Sequence, residues 1–202
     1  MRDPEFLPVM ESFYTIQGEG YFSGTPAYFI RLGGCDVGCH WCDVKESWDA
    51  SQFDWIHINS IVDEAKTSGA ELVVITGGEP FIYDLSGLTQ RLKANHLKTN
   101  VETSGAYPLS GQWDWICFSP KKFKAATEDF YNKADELKVV VFNKSDIGWA
   151  EDQAKKLKSS AKRYLQPEWS KEKEMTPLIV DYIKENPTWR ISLQTHKYMN
   201  VP

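Results

Sequence analysis

The stretch PAYFIRLGGCDVGCHWCDVKESW (residues 26–48) joins an apolar run to a loop that holds three of the chain's four cysteines. PAYFIRL reads as a β-strand buried on both faces, because Arg31 is its one charged residue. In sheets of parallel strands, chemistry gathers where the strands end. We therefore predict a functional site at the carboxyl end of this strand, on the loop that carries the cysteines.

Six further runs resemble this strand, namely ELVVIT (71–76), KTNVET (98–103), DWICFS (114–119), ELKVVVF (136–142), KRYLQP (162–167) and WRISLQ (189–194). Between several of them the apolar residues have helical spacing. The predicted helices cover 58–65, 85–92 after an Asp84 N-cap, 147–157 after Asp146, and a segment from Thr176-Pro177 to Asn186-Pro187. Alternating strands and helices predict an α/β fold with mainly parallel strands, either an open doubly wound sheet or a full or partial (β/α) barrel.

Short distinctive motifs follow the ends of most predicted strands. They are GGCDVGC, TGGEP, ETSG, SPK, QPEW and QTHK. Because the carboxyl ends of parallel strands lie at one edge of a sheet or one mouth of a barrel, we expect these motifs to meet there. Residues 120–134 have no clear assignment and are expected to form a mobile loop or a short insertion.

Composition narrows the class of protein. The chain has 202 residues, 42% hydrophobic and 25% charged, with a formal net charge of −5, which predicts one globular domain over residues 1–202. The lack of a basic surplus disfavours generic nucleic-acid binding. The chain shows neither a secretory signal nor an apolar run of membrane-spanning length, so we expect a cytoplasmic protein. DPEF (3–6) is compatible with a cloning remnant, and residues 1–6 therefore carry no weight in the predicted fold.

The three grouped cysteines, Cys35, Cys39 and Cys42, have the spacing C-x3-C-x2-C. Three close thiolates can hold three corners of a [4Fe–4S] cluster and leave the fourth iron open. The alternative is structural zinc, with His40 completing a Cys3His set. The position of His40 argues against zinc, because it lies between neighbouring ligands on one short loop. Cys117 lies in a predicted strand and is expected to be a core residue.

At this point the motifs identify a resemblance. C-x3-C-x2-C followed by TGGEP at the next strand end resembles the radical S-adenosylmethionine (SAM) superfamily. Within it, the chain resembles the family that makes 7-carboxy-7-deazaguanine from a reduced pterin, through YTIQGEG (14–20), FIRLGGC (29–35), WCD (41–43), TGGEP (76–80), ETSG (102–105), SPK (119–121), QP (166–167) and LQTHKY (193–198). The resemblance implies a partial (β/α) barrel of the radical SAM type.

The resemblance also implies the activity. A reduced cluster passes one electron to bound SAM and yields a 5′-deoxyadenosyl radical. The substrate, 6-carboxy-5,6,7,8-tetrahydropterin, loses a hydrogen atom at C6, contracts its ring and expels ammonia, so the enzyme is a carbon–nitrogen lyase of queuosine biosynthesis. The implied partners are an electron donor such as flavodoxin or ferredoxin and a second subunit in a homodimer.

Site residues follow by matching motif positions. SAM contacts are implied for Trp41, Cys42, Asp43, Gly77, Gly78, Glu79, Ser104, Ser119, Pro120, Lys121, Gln166, Pro167, Glu168 and Trp169. Substrate contacts are implied for Ile16, Gln17, Gly18, Arg31, Thr76, His196 and Pro202, and His196 is also a candidate for proton transfer. Glu102 and Ser104 either bind ribose or cap a turn.

Two of these substrate positions carry a physical argument. Arg31 lies in an apolar strand, so its guanidinium needs a partner, either the substrate carboxylate or an internal carboxylate. Pro202 ends the printed chain, and its carboxylate is expected to pair with the N–H edge of the pterin. We accordingly expect a C-terminal extension to weaken substrate binding.

One residue departs from the family pattern. Well-known members carry a hydroxyl residue after the Cys-Asp pair, where it resembles a magnesium ligand, and here the position is Val44. Valine has no donor oxygen, so a requirement for Mg²⁺ is put in doubt. Asp43 or Ser47 would have to compensate, or the ion would be held by water and substrate.

Two rival functions remain at this stage. A radical SAM activase that abstracts hydrogen from a glycine of a partner protein would share the cysteines and TGGEP, without needing IQGEG, Arg31 and QTHK around a small pocket. A zinc-stabilised α/β binding module would explain the cysteines without catalysis.

Overall fold

The computed structural model describes residues 3–202, along which strands and helices alternate. In chain order the elements are β1 (Phe6–Ile16), β2 (Pro26–Leu32), β3 (Trp55–His57), α1 (Ile58–Thr67), β4 (Leu72–Gly77), α2 (Ser86–Ala94), β5 (Lys98–Thr103), β6 (Trp115–Phe118), α3 (Glu128–Lys133), β7 (Glu136–Val141), α4 (Ser145–Ala154), β8 (Lys162–Pro167), α5 (Glu172–Glu185), β9 (Trp189–Ile191) and α6 (Thr195–Met199). Residues 1 and 2, which the predicted domain included, lie outside the described range.

The strands form one nine-stranded sheet in the order β3-β1-β2-β4-β5-β6-β7-β8-β9. From β2 to β9 all neighbours are parallel, whereas β1 runs antiparallel to both β2 and β3. The edge strands β3 and β9 do not pair within residues 3–202, so the sheet is not closed. The prediction of a mainly parallel α/β fold is confirmed. Because the sheet is not closed, it is not a full barrel.

The two faces of the sheet differ in chemistry. Side chains such as Ile30, Ile75 and Leu137 pack with the helices in the main hydrophobic core, on the outer face. Their neighbours along each strand alternate to the inner face, as strand geometry requires. There Arg31, Glu102 and Lys138 line a cavity. The strands are largely buried on both faces, as predicted. The inner face carries these charged groups beside a small apolar cluster of Ala27, Phe29, Leu72 and Val74, and it therefore suits a ligand with polar groups.

The sequence interpretation missed two strands. β1 and β3 were not predicted, and residues 1–6 were given no weight although β1 begins at Phe6. Glu5, also in the discounted segment, pairs with Arg91 at 2.7 Å. β1 mixes polar and apolar residues without a clear period, and β3 has three residues, so neither has the apolar run that marks the other strands.

Helix boundaries also differ in places from the prediction. α5 begins at Glu172, four residues before the expected Thr176 cap, and Pro177 lies inside it. Residues 120–134 contain α3, whose Phe130 is fully buried, so the expected mobile loop is in part a packed helix. No helix within residues 3–202 has the length and apolar content needed to cross a membrane.

Candidate functional site

A cavity of about 260 Å³ lies against the inner face, at the carboxyl ends of the parallel strands. It brings together nearly all the residues predicted for the site. The three cysteines and all seven predicted substrate residues line it, and so do the predicted SAM residues Trp41, Cys42, Asp43, Gly77, Gly78, Glu79, Ser104, Ser119, Lys121, Gln166, Pro167, Glu168 and Trp169. Pro120 is the exception, because it is buried outside the lining.

The cysteine loop follows β2 directly. Cys35, Cys39 and Cys42 are free thiols that line the cavity. His40 is exposed and absent from the lining, and its ring meets the edges of Phe123 and Phe142 at centroid distances of 5.5 and 5.1 Å. Cys117 is 3% exposed within β6, which confirms that it is buried. The Cys3His arrangement of a zinc site is therefore not formed.

These three thiols fit an iron–sulfur cluster in their chemistry. Within the described residues, no group of three or more His, Cys, Asp or Glu side chains is placed to hold a single metal ion. A cluster does not need such a group, because each thiolate binds a different iron. Burial raises the pKa of Cys35, and it raises that of Cys39 to about 11, so the thiolate forms need a cation such as iron beside them.

The TGGEP turn packs directly on the cysteine loop. The Gly78 N–H donates to the Leu32 carbonyl at 2.9 Å, and the Glu79 N–H donates to the Gly34 carbonyl at 2.8 Å. A Cβ at Gly78 would lie 2.1 Å from the Gly34 oxygen, so only glycine permits this approach. The glycines thus bring two backbone segments together beside the cysteines.

Glu79 links the TGGEP turn to the ETSG turn. It is 1% exposed, and its carboxylate accepts from the Thr103 hydroxyl at 2.6 Å, the Ser104 N–H at 2.8 Å, the Phe81 N–H at 3.2 Å and, closest of all, the Ser104 hydroxyl. Four donors fill the acceptor positions of a carboxylate. A SAM ammonium at Glu79 would therefore replace one of the two hydroxyls.

The SPK and QPEW segments form another wall of the cavity. The Lys121 ammonium donates to the Ser119 hydroxyl at 2.7 Å and to the Ser119 carbonyl, and it lies 5.8 Å from the centre of the Trp41 ring. Burial lowers the pKa of Lys121. Gln166 is held by the Ser192 hydroxyl at 2.7 Å, whereas Trp169 stays 40% exposed. This wall offers an ammonium, an amide and an indole to a ligand.

The IQGEG and QTHK motifs meet although they are far apart in sequence. Thr195 N–H donates to the Gly18 carbonyl at 2.9 Å, and a Cβ at Gly18 would lie 2.2 Å from the His196 Nδ1 atom. Burial lowers the pKa of His196, so its imidazole is neutral at pH 7. The backbone oxygen of Pro202 accepts from the Thr15 hydroxyl at 3.2 Å.

Arg31 forms the internal salt bridge that was one of its two predicted contacts. Its Nε donates to Glu11 Oε1 at 2.6 Å, which is the internal salt bridge. Among residues 3–202, no hydrogen-bond partner occupies its two terminal nitrogens, and the side chain lines the cavity. The guanidinium therefore has N–H groups left for a carboxylate ligand.

Sequence reasoning missed a buried charged network on the inner face. Lys138 bonds to Glu19 and, at 3.1 Å, to Glu102, and all three line the cavity. Burial is the largest single influence and would raise the pKa of Glu19, but Lys138, Gln194 and His196 together outweigh burial and lower that pKa to about 2. The sequence did carry a signal. A lysine inside the apolar run ELKVVVF, like Arg31 in its apolar strand, needs an oppositely charged partner when it is buried.

The surroundings of Val44 contain few free oxygen ligands. The buried Ser47 hydroxyl donates to the Val44 carbonyl at 2.7 Å. Asp43 accepts from Lys197 at 3.1 Å and from Gln194 at 3.5 Å. Ser47 and the Oδ2 atom of Asp43 therefore have partners, whereas no hydrogen bond reaches Asp43 Oδ1 from residues 3–202.

Comparison with known proteins gives consistent matches. The profile of the radical SAM superfamily matches residues 29–137. The 7-carboxy-7-deazaguanine synthase of Flavobacterium psychrophilum is 59% identical over 198 residues, which is 98% of this chain and 94% of that relative. The synthase of Escherichia coli K12 is 36% identical, covering 96% of this chain and 98% of its own. The crystal structure of QueE from Escherichia coli aligns with a TM-score of 0.83 at 32% identity over 93% of both chains.

The profile match includes the whole cysteine loop and the TGGEP turn, and the relatives extend the similarity through IQGEG at one end and QTHK at the other. A shared fold at 32% identity agrees with the partial barrel implied by the motifs. The chain therefore belongs to the radical SAM superfamily and, within it, to the 7-carboxy-7-deazaguanine synthase family.

Proposed function

We propose that this chain converts 6-carboxy-5,6,7,8-tetrahydropterin to 7-carboxy-7-deazaguanine with loss of ammonia, on the route to queuosine and related 7-deazapurines. The observation that carries the proposal is the meeting of IQGEG and QTHK at Gly18 and His196, in the same cavity as the three cysteines. An activase for a partner protein would have no use for this small polar enclosure. The named relatives are synthases of this product.

Family membership implies a [4Fe–4S] cluster and SAM, for which Cys35, Cys39 and Cys42 are the cluster ligands. When bound, these groups supply a 5′-deoxyadenosyl radical that takes a hydrogen atom from the substrate. The wall residues Lys121 and Gln166 offer polar contacts to SAM.

The substrate half of the cavity binds, orients and moves protons. The terminal nitrogens of Arg31 bind the substrate carboxylate, and the neutral His196 imidazole accepts or returns a proton as ammonia leaves. The enclosing inner face limits the access of water to a reactive radical. The chain's own contribution is thus orientation, charge and exclusion of solvent.

The function is tested by anaerobic reconstitution with iron and sulfide, followed by incubation with SAM, a reductant and 6-carboxytetrahydropterin. We expect absorption around 400 nm and a product with the mass of 7-carboxy-7-deazaguanine. A colourless protein that holds about one zinc would contradict both radical SAM functions. SAM cleavage without any change in the pterin would favour the activase.

A magnesium requirement is the finer point that Val44 leaves to experiment. We propose that any Mg²⁺ in this site is held mainly by substrate and water oxygens, because Val44 offers no side-chain oxygen, Ser47 is bound to the Val44 carbonyl and Asp43 is paired with Lys197. Turnover after chelation should then respond to added Mg²⁺ only weakly. Full dependence on Mg²⁺ would show that Asp43 or Ser47 changes partners.

We further propose a flavodoxin or ferredoxin as the electron donor, a homodimeric assembly and a cytoplasmic location. The support is family resemblance together with the absence of a membrane-spanning helix among the described residues. Light scattering measures the assembly, and replacing dithionite with a reduced flavodoxin tests the donor.

A further inference from the structure

We propose that Lys138 is a positioning residue for the substrate: it holds Glu19 and Glu102 together, and through them it orients the IQGEG and QTHK segments. The inference rests on the proposed function, since the ligand it concerns is the reduced pterin. Neither motif matching nor the predicted site residues assign a role to Lys138.

Lys138, Glu19 and Glu102 form a largely buried ion network. The Lys138 side chain is 4% exposed, and the ammonium lies between the carboxylates of Glu19 and Glu102. These carboxylates belong to distant segments, the turn after β1 and the end of β5, while Lys138 comes from the middle of β7. A buried ammonium that bridges two carboxylates fixes their separation, because each charge would otherwise lack an opposite charge beside it.

The two carboxylate residues in turn hold Gln17, which is a predicted substrate residue. The Gln17 amide donates to Glu102 at 2.9 Å, and its carbonyl accepts from the Glu19 N–H at 3.0 Å. Gln17 is 3% exposed, so these contacts set its orientation. Lys138 therefore acts on Gln17 without contacting it.

Glu19 also accepts a hydrogen bond from the QTHK segment, near the other end of the chain. The Gln194 amide donates to Glu19 at 2.8 Å, and α6 starts at the next residue. His196 lies in the first turn of α6 against Gly18. One ammonium thus connects both segments that are predicted to surround the pterin.

Several titratable groups surround Lys138. The titratable groups that act on it are Glu19, Glu102, Glu136, Cys117 and Lys121, while His196 acts on Glu19. Burial would lower the pKa of Lys138, but Glu102 and Glu19 raise it well above its ordinary value. Without the ammonium, two partly buried carboxylates would face each other, and this repulsion would favour protonation of one of them.

The experiment compares the reconstituted holoenzyme with its Lys138→Met variant. Isothermal titration with 6-carboxytetrahydropterin, in the presence of SAM and without reductant, gives Kd between pH 5.5 and 8.5. We expect Kd to rise about tenfold or more in the variant, by a ratio that changes with pH because a carboxyl group now titrates. Lys162→Met, which removes an exposed lysine at the start of β8, should leave Kd unchanged.

Two further variants separate positioning from simple stabilisation. In K138M/E102Q one buried charge is gone, so Kd should recover in part and the added pH dependence should disappear. If Lys138→Met does not fold, Glu19→Ala replaces it, since Lys138 keeps Glu102 as a partner while Gln194 loses its acceptor. That variant should also bind the pterin more weakly.

A wild-type Kd at every pH in a folded Lys138→Met variant, or in Glu19→Ala if Lys138→Met does not fold, would overturn the inference, and it would leave the proposed function intact. Failure of the wild-type holoenzyme itself to bind the pterin would overturn both. A lower melting temperature with unchanged Kd and pH profile would show that Lys138 only stabilises the fold.

Discussion

Arg31 shows how one side chain can serve the fold and the ligand together. Its Nε is bound to Glu11 on the neighbouring antiparallel strand, which fixes the guanidinium plane, while its terminal nitrogens line the cavity. A guanidinium held at one edge needs little reorganisation to bind a carboxylate with the other. Under the proposed function, the salt bridge holds Arg31 ready for the substrate carboxylate.

Replacing Arg31 tests this division of labour. Arg31→Met should raise KM for 6-carboxytetrahydropterin about 10- to 100-fold, because a charged hydrogen-bond donor to the substrate carboxylate is lost. Glu11→Gln is the matched control, since it keeps an acceptor for Nε, and its effect on KM should be much smaller. Equal effects in steady-state assays would mean that the salt bridge alone is what matters.

Glu79 gives a second test at this scale. Each carboxylate oxygen accepts one backbone N–H, from Phe81 and from Ser104, so the amide of Glu79→Gln places its NH2 group against a donor in either orientation. We expect a loss of about 1–3 kcal/mol in the free energy of unfolding, measured by urea denaturation. The exposed control Glu71→Gln should be neutral. An unchanged midpoint in Glu79→Gln would contradict the assigned contacts.

At the scale of elements, the segment after β6 organises the cysteine loop. Lys124 pairs with Asp36 at 2.7 Å, and the Tyr107 hydroxyl donates to the same carboxylate at 2.6 Å. Phe123 contacts His40 and Trp41, while Phe130 in α3 anchors the segment in the core. A region without sequence periodicity is thus ordered by long-range contacts.

Phe130→Ala distinguishes an anchored segment from a mobile one. Removing a fully buried phenylalanine should lower the free energy of unfolding by about 3–5 kcal/mol. Phe123→Ala, at a ring that is 44% exposed, should have a small effect by comparison. If urea denaturation shows equal and small losses of unfolding free energy for both variants, residues 120–134 form the predicted mobile loop.

The elements that sequence predicted are those with strong local patterns. The seven apolar runs became strands because burial on both sides leaves a continuous signal, as in ELVVIT (71–76). β1 was not predicted, because most of its side chains are only partly buried and its antiparallel pairing depends on residues distant in sequence. The predicted start of α5 is four residues too late, because proline generally favours the first helical position, whereas Pro177 lies inside this helix.

The site shows the same limit. Motifs located the cavity lining well because they lie at strand ends, where topology brings them together. The run ELKVVVF indicates that Lys138 needs a partner, but no local pattern indicates that Glu19 and Glu102 lie beside it. Pairing of distant charges depends on the assembled sheet.

For the whole molecule, the sheet has an apolar outer face, whereas its inner face also carries charged side chains, which places ionisable groups inside the fold. Glu19 has a folded pKa of about 2 against an ordinary value of 4.5. A lowered carboxyl pKa stabilises the protein above pH 4.5, and this stabilisation is lost as the pH falls from 4.5 towards 2.

Acid sensitivity follows from this sign. Between pH 7 and pH 3 the wild type should lose more free energy of unfolding than Glu19→Gln, which has no carboxyl group to titrate at that position. Urea denaturation at both pH values, with the exposed control Glu71→Gln, measures the difference. Equal losses in wild type and Glu19→Gln would contradict the assigned ion pair.

The most direct measurement is the initial rate of 7-carboxy-7-deazaguanine formation by the reconstituted chain. With SAM, reductant and 6-carboxytetrahydropterin present, we predict product by mass spectrometry, and none when any one of the three is omitted or when Cys39 is replaced in Cys39→Ala. A fully reconstituted cluster that cleaves SAM but leaves the pterin unchanged would contradict the assignment of this cavity to pterin ring contraction.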